Sequence, residues 1–357
     1  MSLSRRGLFK IVSAGLVLQA CLPHKNKGSV IRNPETIYSG FRTGEPHEST
    51  PAGLSISTPL SIERVTFANE IHSIIICEQF DLKVFISKLE LFSYAQVGNG
   101  PYIEINPDGG NYFYGHGVID EKRKVLYTTQ AKATKTRDGK DRENEKGYVY
   151  VHSIPDFKII DKFPTFGHDP HDVKIFNDEL IVCNGGSDSS ITFIDLATRK
   201  LIREYKVNVE HLQLRHVEIV NDQNFLVATL SNHPEMPTPL YGLNLKNGLK
   251  VYEMPSGLEK TLMRVQLLSM IHHEGHIYAT CPATHTVLVW NLQGDFIGGQ
   301  YIPSAAGLAV SKELGGVIVG SGKLGEKARI LYLKNGSLKV HKLEWATGVS
   351  GSHATIV

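Results

Sequence analysis

A pattern that recurs along the chain constrains the fold more than any single motif. A short apolar run is followed by a charged or glycine-containing turn, then by a β-rich run ending in small residues. Five copies are contiguous: HGVIDEKRKVLYTTQ from His116, HDVKIFNDELIVCNG from His171, HVEIVNDQNFLVATLS from His216, LSMIHHEGHIYATCPA from Leu268 and GLAVSKELGGVIVGSG from Gly307. A sixth reads as split. EIHSIIICEQ near residue 70 supplies its second run and the C-terminal SHATIV its first.

Each second run leads into another apolar run and an outer one, as in GYVYVHSI then FKIIDKFP, SITFIDLA then KLIREYKV, and TVLVWNLQ then FIGGQYIP. Alternating runs bounded by turn residues, with no long helical period, predict an all-β protein. Four strands per unit, with unit starts about 35 to 55 residues apart, predict a single β-propeller. Six units can be counted, LSISTPLSIERVTF could belong to a seventh, and seven blades are favoured. Pairing of the N- and C-terminal strands would close the ring and remove its exposed edges.

In such a fold the first strand of every blade lines the central channel, so equivalent positions converge on the axis. His116, His171, His216 and His353 occupy four of the six starts, and the other two carry Leu268 or Ser269 and Gly307. His168 precedes His171 by one turn of chain and could face the same mouth, with Asp169, Asp172 and Arg215 as supporting charges. Neutral imidazoles are ligands for Fe, Cu or Zn, and a carboxylate can orient them. The competing expectation is that these histidines only bond neighbouring loops or channel water. HHEGH at 272–276 has the wrong spacing for H-E-x-x-H and reads as a hairpin turn. His233 reads as part of a surface loop and residues 132–147 as a charged, solvated insertion. No G-x-S-x-G occurs.

The N-terminus reads as an export signal: a basic start, a short apolar run from Ile11 to Leu18 and small residues before Cys21. Ser4-Arg5-Arg6-Gly7-Leu8-Phe9-Lys10 resembles a twin-arginine signal, and Leu18-Gln19-Ala20-Cys21 resembles a lipobox with Cys21 as the lipid-bearing residue. The expectation is a signal peptide over 1–21, a polar tether over 22–60 and a propeller over 61–357. The protein would be periplasmic and lipid-anchored, with the outer membrane favoured because Leu22 rather than Asp follows the cysteine. Cys77, Cys183 and Cys281 would remain, an odd number that argues against a disulfide framework and for small buried fillers. A net charge of +2 without a basic block excludes nucleic acid as a partner class.

YGHGVID with LYTT, FGHDPHDVKI with VCNGG, LQLRHVEI and the terminal Ser-His resemble the domain-of-unknown-function family 1513 over roughly residues 60–357. The resemblance implies an exported bacterial propeller whose matching residues are Gly115-His116-Gly117, Gly167 to His171, Arg215-His216 and His353. VQLLS before the fifth start and GVSGSH at the C-terminus depart from the family pattern. It also implies an association with periplasmic iron-uptake lipoproteins and cytochrome-peroxidase-like proteins, hence a metal-related role. Three functions follow as expectations. The first is a binding protein for a metal ion or small ligand at the histidine cluster. The second is a metal-dependent periplasmic redox or hydrolytic enzyme. The third is a scaffold that docks a periplasmic protein partner, with structural histidines.

Overall fold

The unit that recurs in three dimensions is a four-stranded antiparallel meander. Its two central strands are apolar on both faces and its outer strand is polar, so each meander must be covered on both sides by another. The computed structural model describes residues 35–43, 51–90, 92–132, 146–186, 188–254, 257–263, 265–323, 325–334, 337–346, 349 and 351–357. Arg5, Arg6, Cys21 and most of the charged insertion at 132–147 lie outside the described residues.

The first strands are β1 (Ile37–Arg42), β2 (Ala52–Ser57) and β3 (Ile62–Phe67), followed by β4 (Ile71–Cys77), β5 (Leu82–Glu90), β6 (Ser93–Val97) and β7 (Tyr102–Ile105). The next two meanders are β8 (Asn111–Asp120), β9 (Val125–Lys132), β10 (Lys146–Ser153) and β11 (Ile159–His168), then β12 (Pro170–Phe176), β13 (Glu179–Asn184), β14 (Ser190–Asp195) and β15 (Leu201–Lys206). They are followed by β16 (Leu212–Ile219), β17 (Asn224–Ser231), β18 (Tyr241–Asn244) and β19 (Gly248–Val251). The last two are β20 (Met270–His273), β21 (His276–Cys281), β22 (Thr286–Asn291) and β23 (Phe296–Tyr301), then β24 (Ala305–Ser311), β25 (Gly316–Ser321), β26 (Arg329–Lys334) and β27 (Ser337–Lys342), with β28 (Ala354–Ile356) closing the chain.

These strands make a β-propeller, a ring of sheets with five separate four-stranded sheets and one eight-stranded sheet. In the eight-stranded sheet the β4–β7 and β8–β11 meanders are joined through β5 and β8. Ring closure is by β28 pairing with β1, Ile356 opposite Ile37 and Ala354 opposite Ser39. Successive meanders stack face to face over hydrophobic clusters. Ile181, Cys183, Phe193 and Leu214 pack with Val217 and Phe225 between β12–β15 and β16–β19, and Leu54, Ile71, Phe85 and Tyr94 pack between β1–β3 and β4–β6. At about 25 cal/mol per Å² of apolar surface, burial on this scale dominates the fold's stability. Among the described residues no helix is long and apolar enough to cross a membrane.

Two expectations are corrected. EIHSIIICEQ is not the second strand of a split unit but β4, the inner strand of its own meander, whose second strand is β5. The turn between them hides the hairpin: a 3-10 turn at Glu78–Phe80 with Asp81 left-handed (φ 47°) replaces the Gly/Asn signal found elsewhere. Cys77 therefore ends an inner strand, whereas Cys183 and Cys281 end second strands, and all three thiols are free and buried. The polar tether also stops short. Glu35 onward belongs to the compact unit, because IYSGFR and AGLSIS are β1 and β2 of the sheet that β28 completes. Their short, Ser/Gly-rich runs carry little hydrophobic period. Glycine is required there, since a Cβ on Gly40 would lie 1.8 Å from the Ile71 carbonyl oxygen.

Candidate functional site

Five inner strands deliver one histidine each to the channel: His72 on β4, His116 on β8, His171 on β12, His216 on β16 and His353 just before β28. Four of these strands carry an irregularity at or beside the histidine. The ladder shifts between Ile71 and Ser73, between Phe113 and Gly117, between Pro170 and Asp172, and between Leu214 and His216. Such bulges re-aim a side chain without breaking the sheet. A side chain following the histidine pins three of these strands to the next meander. Ser73 Oγ donates to the Gly115 carbonyl at 2.6 Å, Asp172 Oδ2 accepts from Val217 N–H at 3.0 Å, and Thr355 Oγ1 donates to the Ile74 carbonyl at 2.9 Å.

The rings form one cluster. His116 lies 4.9 to 5.2 Å, centroid to centroid, from His72, His171, His216 and His353. His353 also sits 4.9 Å from both His72 and His216, and His171 sits 4.8 Å from His216. One ligand nitrogen from each of His72, His116, His171 and His216 falls within 4.8 Å of the others. The Nε2 atoms of all five, and Nδ1 of His216, are buried without a hydrogen-bond partner. Buried polar atoms left unpaired are costly, so a cluster of them calls for an explanation.

His116, His171, His216 and His353 thus come together as the repeat predicts. His72 was missed because its strand was assigned to the wrong place in the meander. The signal was present: IHSIII has the histidine where GHGVID, PHDVKI, RHVEIV and SHATIV have theirs. Gly115 (φ 102°) makes room for it, since a Cβ there would lie 2.5 Å from His72 Cδ2. The two remaining meanders contribute Ser269 and Gly307. Ser269 Oγ accepts from Leu308 N–H, and a Cβ on Gly307 would meet the backbone of His353 and Ala354, so no larger side chain fits at Gly307.

His168 behaves differently. It ends β11, its ring is 30% exposed, and Nδ1 stands 3.0 Å from Asp188 Oδ1. It has moved off the axis because Asp169 is left-handed (φ 49°) and turns the chain between His168 and His171. HHEGH is the β20–β21 hairpin, with Glu274 and Gly275 both at positive φ. His233 stacks on His211 with centroids 5.2 Å apart, outside the ring.

Charges flank the cluster along the channel. Before the histidines, Arg215 Nη1 lies 3.3 Å from His171 Nδ1 and 3.6 Å from Asp169 Oδ2, and its Nη2 donates to Gln213. Lys88 lies nearby, its pKa brought down to about 7 by burial and by Arg215, against the opposing pull of Asp169 and Glu70. After the histidines, Asp172 Oδ1 stands 3.4 Å from His116 Nδ1. Burial raises the Asp172 and Glu218 carboxyls, while Lys174 beside them is raised chiefly by Asp172. A cavity of about 180 Å³ opens on this side, lined by His116, His216, His353, Asp172, Lys174 and Glu218. Burial drives the pKa of His72, His116, His171 and His216 well below the ordinary value and that of His353 to about 3. The positive neighbours Lys88, Lys174 and Arg215 and the other imidazoles add to this. The cluster is therefore neutral at physiological pH, the protonation state a metal requires.

Solved structures share the architecture. The periplasmic gluconolactonase of Pseudomonas aeruginosa, PpgL, is 10% identical with a TM-score of 0.63, covering 90% of this chain and 99% of its own. A functionally unknown protein from Desulfotomaculum acetoxidans is 12% identical, TM-score 0.58, covering 91% and 98%. Hydrazine synthase of Kuenenia stuttgartiensis is 11% identical, TM-score 0.56, covering 82% and 90%. At these identities the likeness is one of fold. No curated protein matches the chain by sequence. The family of proteins of unknown function DUF1513 matches residues 72–347, a span that runs from the first histidine-bearing strand through the last complete meander. The chain belongs to that family.

Proposed function

We propose that the histidine cluster is a transition-metal site on the axis of a seven-bladed propeller, the eight-stranded sheet counting as two blades. The observation that carries this is the set of unpartnered, buried Nε2 atoms, four of whose histidines place ligand nitrogens within 4.8 Å of one another. Tetrahedral Zn–N bonds of about 2.0–2.1 Å set nitrogens about 3.3 Å apart, so a metal would draw the most widely spaced of these nitrogens together by more than about 1 Å. Neutral imidazoles suit Zn, Cu or Fe, and Asp172, facing His116 Nδ1, is the carboxylate that commonly orients a metal-bound histidine.

Metal analysis of protein purified after export tests the reading. One tightly held ion per chain, lost in His116→Ala and His216→Ala variants that keep their β spectrum, supports it, and no uptake of Fe, Cu or Zn overturns it. The 180 Å³ cavity reaching His116, His216 and His353 keeps a second reading open, metal-dependent chemistry at an accessible coordination position. The motifs around Arg5, Arg6 and Cys21 support export by the twin-arginine route and a lipid tether in the periplasm. Loss of labelled-palmitate incorporation in Cys21→Ser tests that tether.

A further inference from the structure

The five imidazoles are not equivalent, and the difference lies in what each Nδ1 faces. At His116 it faces the Asp172 carboxylate at 3.4 Å. A carboxylate oxygen at that place favours the proton on His116 Nδ1, which leaves the Nε2 lone pair free. At His171 the neighbour is Arg215 Nη1 at 3.3 Å. A guanidinium only donates, so Nδ1 of His171 must accept and its proton resides on Nε2. Arg215 cannot easily turn away, because Asp169 and Gln213 hold the same fork. Nε2 of His171 is buried and has no hydrogen-bond partner, and His171 places a ring nitrogen within 4.8 Å of nitrogens of His72, His116 and His216.

We infer that His171 is not a metal ligand but a hydrogen-bond donor, set to bind a small anion such as hydroxide that completes the coordination of a metal held by the other histidines. This rests on reading the cluster as a metal site. A nitrogen cannot ligate while it bears a proton, and moving that proton to Nδ1 would set two donors, Nδ1–H and Arg215 Nη1, against each other. An acceptor atom bound to the metal removes the conflict and satisfies the orphaned N–H. The site then resembles an open metal centre, with protein nitrogens and one exchangeable anion.

The test uses the full mature chain loaded with Cu(II), azide as the anion probe, and charge-transfer absorption as the readout. His171→Phe keeps an aromatic ring in place, somewhat larger, and removes the donor. It is expected to retain one copper per chain while weakening azide about tenfold or more, the worth of one buried hydrogen bond to a charged acceptor. His116→Phe is expected to lose the copper. Arg215→Met frees Nδ1 to take the proton, which converts Nε2 into a ligand, so copper should bind more tightly and azide more weakly. Copper loss in His171→Phe as complete as in His116→Phe, or unchanged azide affinity, would overturn the inference. Nitrogen-15 NMR of the metal-free protein reads the tautomer directly: Nε2–H at His171 is expected, and Nδ1–H overturns the inference even where copper binds. No uptake of Cu, Zn or Fe by the unsubstituted protein overturns the metal reading itself and the inference with it, a result distinct from either failure above.

Discussion

Acidification of the metal-free protein should unfold it over a narrow range, because five imidazoles that cannot take a proton in the folded state take one each when it unfolds. The folded pKa of His353 is about 3, and those of His72, His116, His171 and His216 are well below 6.5. The unfolded chain releases these protons near the ordinary value of about 6.5. A base whose folded pKa is depressed contributes stability above its unfolded pKa and loses it as pH falls below. Each histidine that stays neutral costs roughly 1.2 kcal/mol between pH 6 and pH 5, so the five together cost roughly 6 kcal/mol, comparable with the entire stability of an ordinary domain. Asp172 and Glu218, whose folded pKa values are raised, oppose this at lower pH without cancelling it, being two groups against five. Urea denaturation followed by tryptophan fluorescence at pH 8, 7, 6 and 5.5, in the presence of a chelator, measures the slope. A free energy of unfolding that stays level from pH 7.5 to 5.5 would refute the neutral, buried cluster. His353→Phe should make the slope shallower by about one proton.

Four further outcomes follow from the same structure. Gly40→Ala forces a Cβ against the Ile71 carbonyl at the ring closure. It should lower stability by about 1–3 kcal/mol in thermal or urea unfolding. His168→Ala should leave metal content unchanged by elemental analysis, because His168 pairs with Asp188 off the axis, whereas His72→Ala should weaken binding at least tenfold. Asp172→Asn removes the carboxylate facing His116, and its amide meets Val217 N–H badly if the nitrogen is turned that way. A loss of about 1–3 kcal/mol in stability, with a 10- to 100-fold weaker metal affinity by competition titration, is expected. Deleting residues 352–357 removes β28 and should lower the melting temperature together with metal retention, since it takes both the ring closure and His353.

The sequence carried the meander clearly wherever a short polar or Gly-containing hairpin separated the inner two strands, as at Asn177-Asp178 and Glu274-Gly275, and these five units stand in the structure as expected. It failed where that punctuation was absent. The 3-10 turn after Cys77 made β4 and β5 read as something other than a hairpin, and with β4 misplaced His72 dropped out of the site. β1 was lost into the tether and β2 was legible only as part of LSISTPLSIERVTF, the stretch open to a seventh unit; their side chains are small because Gly40 and Gly53 let neighbouring backbone approach closely. Positions related by the repeat could be inferred, since equivalent strands must converge on one axis. Position by mere nearness in sequence could not. His168 is three residues from His171, yet the left-handed Asp169 between them sends it outward. The charges of Lys88, Lys174 and Glu218 left no sequence signal, because they reach the axis from different depths of different strands.

The central claim is that the histidine cluster holds a transition metal, and metal content of the exported, purified chain tests it most directly. One equivalent of Fe, Cu or Zn per chain, absent from His116→Ala and His216→Ala variants of unchanged fold, is the result expected from the unpartnered Nε2 atoms. A protein that remains metal-free after loading with each of these ions would contradict it.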